Sequence, residues 1–424
     1  MQNNATATSP CDIRDLAFAD QGKRHIEWAF QSMPVLQIIR KQFIKTQPLA
    51  GIRLSAGLQV TAETANLLVT LRDGGAKIVL CASNPVSTRD DVAASLVRDY
   101  NIPVYAINGE DHGVHESHVT AALDHHPQVT MDDGADLATG LHTKRQESLP
   151  DVLGGTEAAD AAVGRLNAMA KQGTLKYPVI AVNDARTKHL FDNRYGTGQS
   201  TLDGIICATN ILLAGLNVVI AGYGWCGRGI AVRAKGMGAN VIVTEVDPSK
   251  AIEAVMDGFR VMTMADACAL GDVFVTATGN QRILARDHFD RLKSGAILCN
   301  AGHQNVEIDL AALAKSASSH REIRPFVEEF GMRDGRKLYL LSEGRVIASA
   351  EGHPASVMDM SFANQALSVE HLLKNHASLE AKVYPVPDAI DKQVARMKLE
   401  SMSIKIDRLT PEQEIYLASG CEGS

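Results

Sequence analysis

Residues 217–245 read NVVIAGYGWCGRGIAVRAKGMGANVIVTE, and this stretch decides the fold of the central part of the chain. The apolar, β-branched run at its start is typical of a buried parallel strand. A G-x-G-x-x-G spacing follows at Gly222, Gly224 and Gly227, and a segment suited to a helix comes next. In a dinucleotide fold the first glycine allows a tight turn, the second lets the backbone approach a pyrophosphate, and the third lets the helix pack on the strand.

A second apolar run ends at Glu245, where an acidic side chain would bind the ribose hydroxyls of NAD. An acid there repels the 2′-phosphate of NADP, so NAD is the expected cofactor. The glycine spacing alone is a weak signal, but strand, glycines, helix, strand and terminal acid together are much stronger. The alternative that these residues leave open is a glycine-rich turn in some other α/β domain.

The composition is that of an ordinary globular chain of 424 residues, with 45% hydrophobic and 21% charged residues. A net charge of −7 without a basic block makes nucleic acid and anionic membranes unexpected partners. The cysteines are scattered without a C-x-x-C pair, which is typical of reduced thiols and predicts a cytoplasmic location. The polar N-terminus has no apolar signal core, and no run of about 18 apolar residues predicts a membrane span.

Short apolar runs also alternate with helical segments from Ile52 onward, before the glycine motif. This alternation predicts a second parallel sheet covered by helices, so the expected fold class is α/β with two doubly wound parallel-sheet domains. A Rossmann NAD domain would be inserted in a split substrate domain, with the active site in the cleft at the strand ends. The expected limits are 11–195 for the first part of the substrate domain, 196–352 for the NAD domain, 353–405 for helices that return to the substrate domain, and 406–424 for a tail.

Four long motifs occur along the chain: VNDARTKHLFDNRYGTGQSTLDGI (182–205), AGYGWCGRG (221–229), NAGHQNVEID (300–309) and EGHPASVMDMSFANQAL (351–367). They closely resemble the S-adenosylhomocysteine hydrolase family, and the likeness covers nearly the whole chain. The ending is similar to the shorter, archaeal and thermophile-like type. The resemblance implies a homotetrameric, NAD-dependent enzyme that oxidises the ribose 3′-OH of S-adenosylhomocysteine and reversibly releases adenosine and homocysteine.

The resemblance also implies roles for individual residues. Lys188 would be the base at the 3′-OH, with a pKa lowered by burial and neighbours. Asp133 would be the acid/base at the 4′ position, while Asp192 and His303 would orient the sugar and the proton transfers. The expected substrate-binding residues are Gln59, Thr61, Glu63, Asn193 and His353, of which Thr61, Glu63 and His353 match the adenine pocket. The expected cofactor-binding residues are Gly222, Gly224, Trp225, Cys226, Gly227, Glu245, Lys250, Thr278, Asn280, Asn193, Gly302 and His303.

Simpler structural roles stay open for some of these side chains. Thr61 is also a good N-cap for the helix that follows it, with Glu63 in the first turn. Three histidines at positions 112, 115 and 118 are spaced three apart, as metal ligands sometimes are. We favour solvated surface for them and expect no metal site.

The sequence departs from the family pattern mainly around the substrate. Gln59 stands at the position of a family histidine assigned to proton transfer at the 5′ end, and glutamine cannot carry a proton at neutral pH. Ala158 stands where the family has a glutamate that binds the ribose hydroxyls. The other departures are Arg89 for a glutamine, Ala159, Asp160 and Ala161 for threonines, Trp225 and Cys226 for a small pair, and a missing asparagine near Ala348.

These departures leave three functions open. The first is hydrolysis of S-adenosylhomocysteine. The second is oxidation at the 3′ position followed by epimerisation of an adenine nucleoside, without cleavage of the 5′ thioether. The third is an NAD-binding regulatory protein, against which the retained Lys188, Asp133 and His303 argue.

Overall fold

The computed structural model describes residues 11–302, 305–347 and 352–419, apart from the side chains of residues 160 and 161. Two sheets with helices on their faces make up this part of the chain. The first sheet has seven strands in the order β15-β6-β5-β4-β1-β2-β3, and all its paired neighbours are parallel. Its elements before the second sheet are α1 (Ala19–Gln31), α2 (Pro34–Thr46), β1 (Arg53–Leu58), α3 (Ala62–Asp73), β2 (Lys77–Ala82), α4 (Asp90–Tyr100), β3 (Val104–Tyr105), α5 (His112–Leu123), β4 (Val129–Asp132), α6 (Asp136–Thr143), β5 (Gly154–Glu157), α7 (Asp160–Lys171) and β6 (Val179–Ala181).

The segment between the two sheets is helical but irregular. It contains the short helix α8 (Arg186–Lys188), a π-helical turn over His189–Gly196, and the helix α9 (Thr197–Thr209). Helix α9 ends where Asn210 takes a left-handed conformation with φ 56°, as helix C-termini often do. A π-helical turn is rare and is found mostly at functional sites.

The second sheet has eight strands in the order β12-β13-β14-β11-β10-β7-β8-β9. The pairs from β14 to β9 are parallel, whereas β12, β13 and β14 are joined by antiparallel pairing. The sequence did not indicate this antiparallel edge. Its elements are β7 (Asn217–Ala221), α10 (Trp225–Gly236), β8 (Asn240–Thr244), α11 (Pro248–Met256), β9 (Arg260–Val261), α12 (Met264–Ala267), β10 (Val273–Thr276), α13 (Arg286–Phe289), β11 (Ile297–Asn300), α14 (Leu310–Ser316), β12 (Ala317–Arg324), β13 (Val327–Met332) and β14 (Lys337–Leu341).

The chain then returns to the first sheet. Strand β15 (Val383–Pro385) pairs with β6, and the helices α15 (Ala355–Asn375) and α16 (Asp388–Ser401) place apolar side chains in the core that covers the first sheet. The confirmed part of the prediction is therefore the α/β class with two parallel-strand sheets. The residue limits of the two domains stay a prediction.

The last described helix, α17 (Pro411–Ala418), begins at an N-cap threonine, Thr410, and has no buried residue. None of the helices in the described ranges combines the length and the apolar character that a membrane span requires.

The expected functional residues follow the carboxyl ends of strands in both sheets. In the first sheet, Gln59 follows β1 and Asp133 follows β4. In the second sheet, Gly222 follows β7 and Glu245 follows β8. Ligands of parallel α/β sheets bind at such ends, so the fold places both halves of the expected site where chemistry is usually built.

Candidate active site

The glycine loop between β7 and α10 has the geometry of a phosphate-binding turn. Gly222 has φ 93°, in the left-handed region that favours glycine. A Cβ at Gly227 would overlap the carbonyl of Gly222, so helix α10 can approach the strand only with glycine there. A Cβ at Gly224 would meet no described atom within 4 Å. The N-terminus of α10 behind this loop attracts anions through its free N–H groups, so the loop fits a dinucleotide pyrophosphate.

Glu245 closes this loop from the end of β8. Its carboxylate accepts hydrogen bonds from the backbone N–H groups of Tyr223 (2.6 Å), Val246 (2.7 Å) and Asp247 (3.0 Å). Partial burial opposes ionisation, but these backbone donors lower the pKa of Glu245, so the side chain is an anion. Glu245 therefore fixes the loop in addition to presenting a negative charge that suits NAD better than NADP. Lys250, on the next helix, is exposed.

A buried acid that the sequence did not point to, Glu307, organises the other cofactor loop. Glu307 is 1% exposed and accepts hydrogen bonds from the backbone N–H (3.0 Å) and hydroxyl (2.7 Å) of Thr278 and from the N–H of Gly279 (2.9 Å). The hydroxyl of Thr278 in turn accepts the N–H of Asn280 at 3.1 Å. A Cβ at Gly302 would overlap the Glu307 carboxylate. The sequence shows Glu307 only as an acid within the motif V-E-I-D (306–309), and this position alone does not predict that it holds the Thr278 loop.

The glycine loop contacts the segment that carries Lys188. Trp225 stacks on His189, with ring centroids 5.0 Å apart and an interplanar angle of 25°. The thiol of Cys226 lies 3.8 Å from the hydroxyl of Thr197, at the start of α9. The two unusual residues of the glycine loop therefore join it to the π-helical turn next to Lys188.

Asp192 is the centre of a buried cluster of polar side chains. It is 3% exposed, and its carboxylate accepts hydrogen bonds from Lys188 Nζ (2.8 Å) and Ser361 Oγ (3.0 Å), while His353 Nδ1 lies 2.7 Å away. Lys188 Nζ also lies 3.4 Å from Asn193 Oδ1. The π-helical turn brings Lys188, Asp192 and Asn193 to one side of the chain. The structure thus joins four of the expected site residues and adds Ser361.

The ionisation of this cluster corrects one expectation. Burial favours a lower pKa for Lys188, but the carboxylate of Asp192 outweighs it and raises the pKa above the usual value. Burial likewise opposes the charge of Asp192, yet Lys188 and His353 hold the pKa of that carboxyl well below its usual range. The prediction that the pKa of Lys188 is lowered is therefore wrong, because the nearest charged neighbour of this lysine is an anion.

The helices that return to the first sheet hold the Lys188 segment in place. Asp391 on α16 accepts the backbone N–H groups of Arg186 (2.9 Å) and Thr187 (3.0 Å). Asn364 on α15 donates to the hydroxyl of Thr187 at 2.6 Å. The start of α8 is thus capped by side chains about 200 residues later in sequence, so the position of Lys188 depends on both parts of the first sheet's chain.

Asp133 lies at the end of β4, beside Gln59. The amide nitrogen of Gln59 is 3.4 Å from Asp133 Oδ2, and the backbone N–H of Asp133 donates to the carbonyl of Gly57 at 2.9 Å. The negative charge of Asp133 also contributes to the raised pKa of Lys188, so the two groups share one electrostatic environment. Gln59 is exposed at this edge and can hold Asp133 without carrying its proton.

The adenine-pocket residues Thr61 and Glu63 also have the simpler structural role. Thr61 is the N-cap of α3, where its hydroxyl accepts the N–H of Thr64 at 3.3 Å. Glu63 lies in the first turn and is 9% exposed. Their part in substrate binding stays a prediction.

The structure shows what surrounds two of the departures from the family pattern, Arg89 and Ala158. Arg89 is directed toward helix α1, where its guanidinium lies 3.0 Å from His25 Nδ1 and 3.4 Å from Asp91 Oδ1. Beside Ala158, Glu157 is fully buried and accepts the N–H groups of Gly134 and Ala159. Glu157 therefore does not replace the ribose-binding carboxylate that Ala158 lacks.

The expectation of solvated histidines at 115 and 118 is wrong. Both rings lie against the buried carboxylate of Glu110, with His115 Nδ1 at 2.8 Å and His118 Nδ1 at 2.9 Å. His118 is 2% exposed and its Nε2 lies 3.1 Å from Asp12. Hydrogen bonds to Asp136 and Glu110 raise the pKa of His115 despite its burial. The two rings form an internal hydrogen-bonded network with these carboxylates, while His112 is exposed.

Several expected residues lie outside the described part of the chain. They are His303, Ala348 and Glu351, together with the side chains of residues 160 and 161. Their roles stay as the family resemblance implies them.

Comparison with known proteins decides the family. Residues 10–153 match the family model described as S-adenosyl-L-homocysteine hydrolase, and residues 193–353 match the model of its NAD binding domain. The adenosylhomocysteinase of Aquifex aeolicus is 58% identical over 96% of this chain and 98% of its own length. That of Saccharolobus solfataricus is 55% identical over 97% of this chain and 99% of its own.

The chain belongs to the S-adenosylhomocysteine hydrolase family. A third adenosylhomocysteinase, from Thermosynechococcus vestitus, is 57% identical over 97% of each chain. The match to the family's NAD binding domain confirms NAD as the cofactor, and it covers the glycine loop, Glu245 and the Glu307 loop. The residue-level assignments within this family fold stay predictions.

Proposed function

We propose that this member of the S-adenosylhomocysteine hydrolase family uses NAD to cleave S-adenosylhomocysteine reversibly to adenosine and homocysteine. The observation that carries the proposal is the meeting of two sites. The buried Lys188–Asp192–His353 cluster lies next to the glycine loop, as the stacking of His189 on Trp225 records. This contact supports the proposal, because the proposed proton-transfer group would then act beside the expected dinucleotide site.

The residues of the second sheet fit NAD. Gly222 and Gly227 shape the loop, Gly224 leaves room for the pyrophosphate, and Glu245 suits the adenosine ribose. The loop at Thr278 and Asn280, held by Glu307, extends the same edge of the sheet. Bound NAD would supply reversible hydride transfer at the 3′ carbon of the substrate ribose.

Lys188 and Asp192 are the proposed groups at the 3′-OH. Lys188 is an ammonium paired with Asp192, so it can donate a proton but cannot accept one. To take the hydroxyl proton, Lys188 must first lose its own, and its pKa must therefore fall when the ligands bind. Asp192, held by Lys188, His353 and Ser361, would keep the amine aimed while its charge changes.

Asp133 is the proposed group at the 4′ carbon. A ketone at the 3′ carbon makes the 4′ hydrogen acidic, and the carboxylate of Asp133 would accept it. Loss of this proton lets homocysteine thiolate leave the 5′ carbon, and water then adds there. Gln59 would hold Asp133 through its amide, but the proton that the leaving thiolate needs must come from another donor, such as water, because glutamine does not ionise.

The two other functions are not favoured. Eight adenosylhomocysteinases are between 51% and 58% identical to this chain, and each match covers at least 96% of it. Nothing in the cluster around Asp192 favours epimerisation over hydrolysis. The small-molecule nucleoside substrate follows from the family. A homotetramer and a cytoplasmic location are proposals on the same basis.

One experiment tests the function. The purified protein with NAD is incubated with S-adenosylhomocysteine in heavy water, and the products are followed by mass spectrometry and NMR. We expect adenosine and homocysteine, with deuterium at the 4′ carbon. Deuterium or an inverted sugar centre without thiol release would support the epimerase instead, and an unchanged substrate would leave only the regulatory function.

A further inference from the structure

Two buried acids lie side by side at the ends of β4 and β5. Asp132 and Glu157 are register partners in this parallel pair, and they are 2% and 0% exposed. The residue after Asp132 is Asp133, the proposed group at the 4′ carbon. Two ionised carboxylates so close together, both buried, would repel each other strongly. The pair is therefore expected to hold a proton.

The hydrogen bonds distinguish the two acids of this pair. Both oxygens of Asp132 accept backbone N–H groups at the start of α6, from Leu137 (3.1 Å) and Ala138 (3.0 Å). Burial and the neighbouring Glu157 raise the pKa of Asp132, whereas these two donors oppose that shift and favour the ionised form. Glu157 Oε1 accepts two N–H groups, from Gly134 (3.0 Å) and Ala159 (2.7 Å). Its other oxygen, Oε2, is buried and has no hydrogen-bond partner among the described residues, so the proton belongs there.

The surroundings of Glu157 contain acids and no close cation. The charged and titratable groups near it and on the elements packed against β5 are Asp132, Asp133, Asp136, Arg165, Tyr177, Asp184 and, on α15, Asp359, Glu370, His371 and Lys374. Arg165 donates to the carbonyl of Gly134. Over the described ranges, no lysine or arginine side chain contacts Glu157. Burial, aided by the charge of Asp133, raises the pKa of Glu157 to about 7.

We propose that Glu157 is a positioning residue for Asp133 and that it acts in its protonated form. The inference rests on the proposed function, since it concerns the group that takes the 4′ proton. Glu157 accepts the N–H of Gly134, the residue that follows Asp133. Asp132, the residue before Asp133, is held by the N–H groups at the start of α6. The N–H of Ala158 donates to the carbonyl of Asp132 at 3.0 Å and ties the two strand ends together.

The proton on Glu157 also matters for charge. A neutral Glu157 holds the N–H of Gly134 without adding a third negative charge next to Asp132 and Asp133. An ionised Glu157 would repel Asp133 and push it out of its position. The side chain at position 157 therefore has to accept a hydrogen bond at Oε1 and carry no net charge. A protonated glutamate and a glutamine both meet these two requirements.

The test compares Glu157→Gln with Glu157→Ala in the NAD-bound protein. Glutamine keeps a neutral acceptor at Oε1, so we expect kcat within about threefold of the parent. Alanine releases Gly134, and a displaced catalytic group costs on the order of 10²-fold, so kcat should fall by about that factor with little change in KM. A fall of equal size in both variants would overturn the proposal, because it would mean that the ionised carboxylate is required.

Two further measurements do not depend on turnover. Infrared difference spectra between about pH 5 and about pH 9 should show a protonated-carboxyl band that disappears with a midpoint near 7. The band should be absent in Glu157→Gln and unchanged in Glu307→Gln, the matched control at a buried acid that has donors on both oxygens. A band that survives Glu157→Gln would overturn the assignment of the proton.

Hydrogen exchange at the Gly134 amide reports the positioning directly. We expect protection in the parent and in Glu157→Gln, and faster exchange in Glu157→Ala. Equal protection in all three would refute the positioning role. If these two measurements come out as expected while no S-adenosylhomocysteine is cleaved, the proposed function fails and the protonated anchor stands.

Discussion

Asp192 and Glu157 are both buried carboxyls beside the expected substrate, and their pKa values are shifted in opposite directions. Lys188 and His353 approach Asp192, and its pKa is held well below the usual range. Glu157 has backbone donors on one oxygen and an acidic neighbour, and its pKa is raised to about 7. Burial opposes the charge of both groups. The comparison teaches that the neighbouring charges, rather than depth in the fold alone, decide in which direction the pKa of a buried acid is shifted.

Asp133 connects the two regions. Its charge helps to raise the pKa of both Lys188 and Glu157. The site therefore has two sides. On the charged side, the ion pair of Lys188 and Asp192 would act at the 3′-OH. On the other side, Asp133 would take the 4′ proton beside Glu157, a carboxyl that is neutral when protonated. The following substitutions test this division, from the largest expected effect to the smallest.

Lys188→Met removes the cation from the charged side. We expect hydrolysis to slow by about 10⁴-fold, at the upper end for loss of one acid/base group, because Lys188 is the proposed base at the 3′-OH. Steady-state rates at saturating substrate provide the measurement. The matched control is Lys374→Met, which breaks the exposed i,i+4 pair with Glu370 and should change stability by less than about 0.5 kcal/mol and leave the rate unaltered. A rate within tenfold of the parent would show that Lys188 is not the base.

Asp192→Asn leaves the Lys188 ammonium buried without its anion. Breaking a buried pair in this way costs about 3–5 kcal/mol, which denaturant unfolding can measure. Without the anion the pKa of Lys188 should fall, so the rising limb of the pH–rate profile should move to lower pH. An unchanged limb would mean that the limb belongs to another group.

The two acids should also give opposite pH dependences of stability. The pKa of Asp192 is lowered on folding, so its contribution is present above the unfolded pKa of about 4 and is lost as the pH falls below it. The pKa of Glu157 is raised, so its contribution is full below about 4.3, the unfolded value, and is lost as the pH rises through about 7. Denaturant unfolding at several pH values measures both effects. The stability difference between the parent and Asp192→Asn should shrink as the pH falls below about 4. The stability of the parent relative to Glu157→Gln should decrease as the pH rises from about 4.3 to about 7.

Gln59→His combined with Ala158→Glu adds a proton carrier and a ribose-binding acid on the side of Asp133. We expect hydrolysis to rise by about 10²-fold, the lower end for gain of an acid/base group. Product release from S-adenosylhomocysteine measures it, and Gln146→His, in an exposed turn, serves as the control. No gain in rate would mean that this chain supplies the 5′ proton by a route that does not need the family histidine.

Ser361→Ala should have the smallest effect. It removes one of the donors to Asp192, and a hydrogen bond to a charged group contributes about 1.5 kcal/mol. Chemical unfolding should show a loss of that size, while Ser318→Ala, at an exposed hydroxyl, should show almost none. A loss as large as that of Asp192→Asn would contradict the view that Lys188 dominates this cluster.

The sequence predicted the parts of the fold that are local. The strand, glycines and helix at 217–236 and the strand that ends before Glu245 follow from apolar periodicity and glycine spacing. The antiparallel edge β12–β13 was missed because β12 is exposed almost throughout and its charged side chains give no apolar alternation. Charged exposed edges are a common way to prevent further pairing.

The site was predictable where a family motif names the residue, as for Lys188, Asp192 and His353. Ser361, Glu307 and Glu157 were missed because their roles depend on contacts made only in the folded chain, such as the bond between Ser361 and Asp192. The direction of the pKa shift of Lys188 was wrong for the same reason. A sequence names a buried lysine but does not give the distance to the anion that decides its charge.

The late return of β15 to the first sheet has a consequence for synthesis. The second sheet is built from one continuous stretch and can fold as soon as it leaves the ribosome. The first sheet needs β15, and its core needs Met360, Leu372 and Val394 from α15 and α16. Until these arrive, the apolar surface made by the first half of the chain stays uncovered. The nascent protein is therefore most prone to aggregation, and most dependent on chaperones, during translation of its middle third.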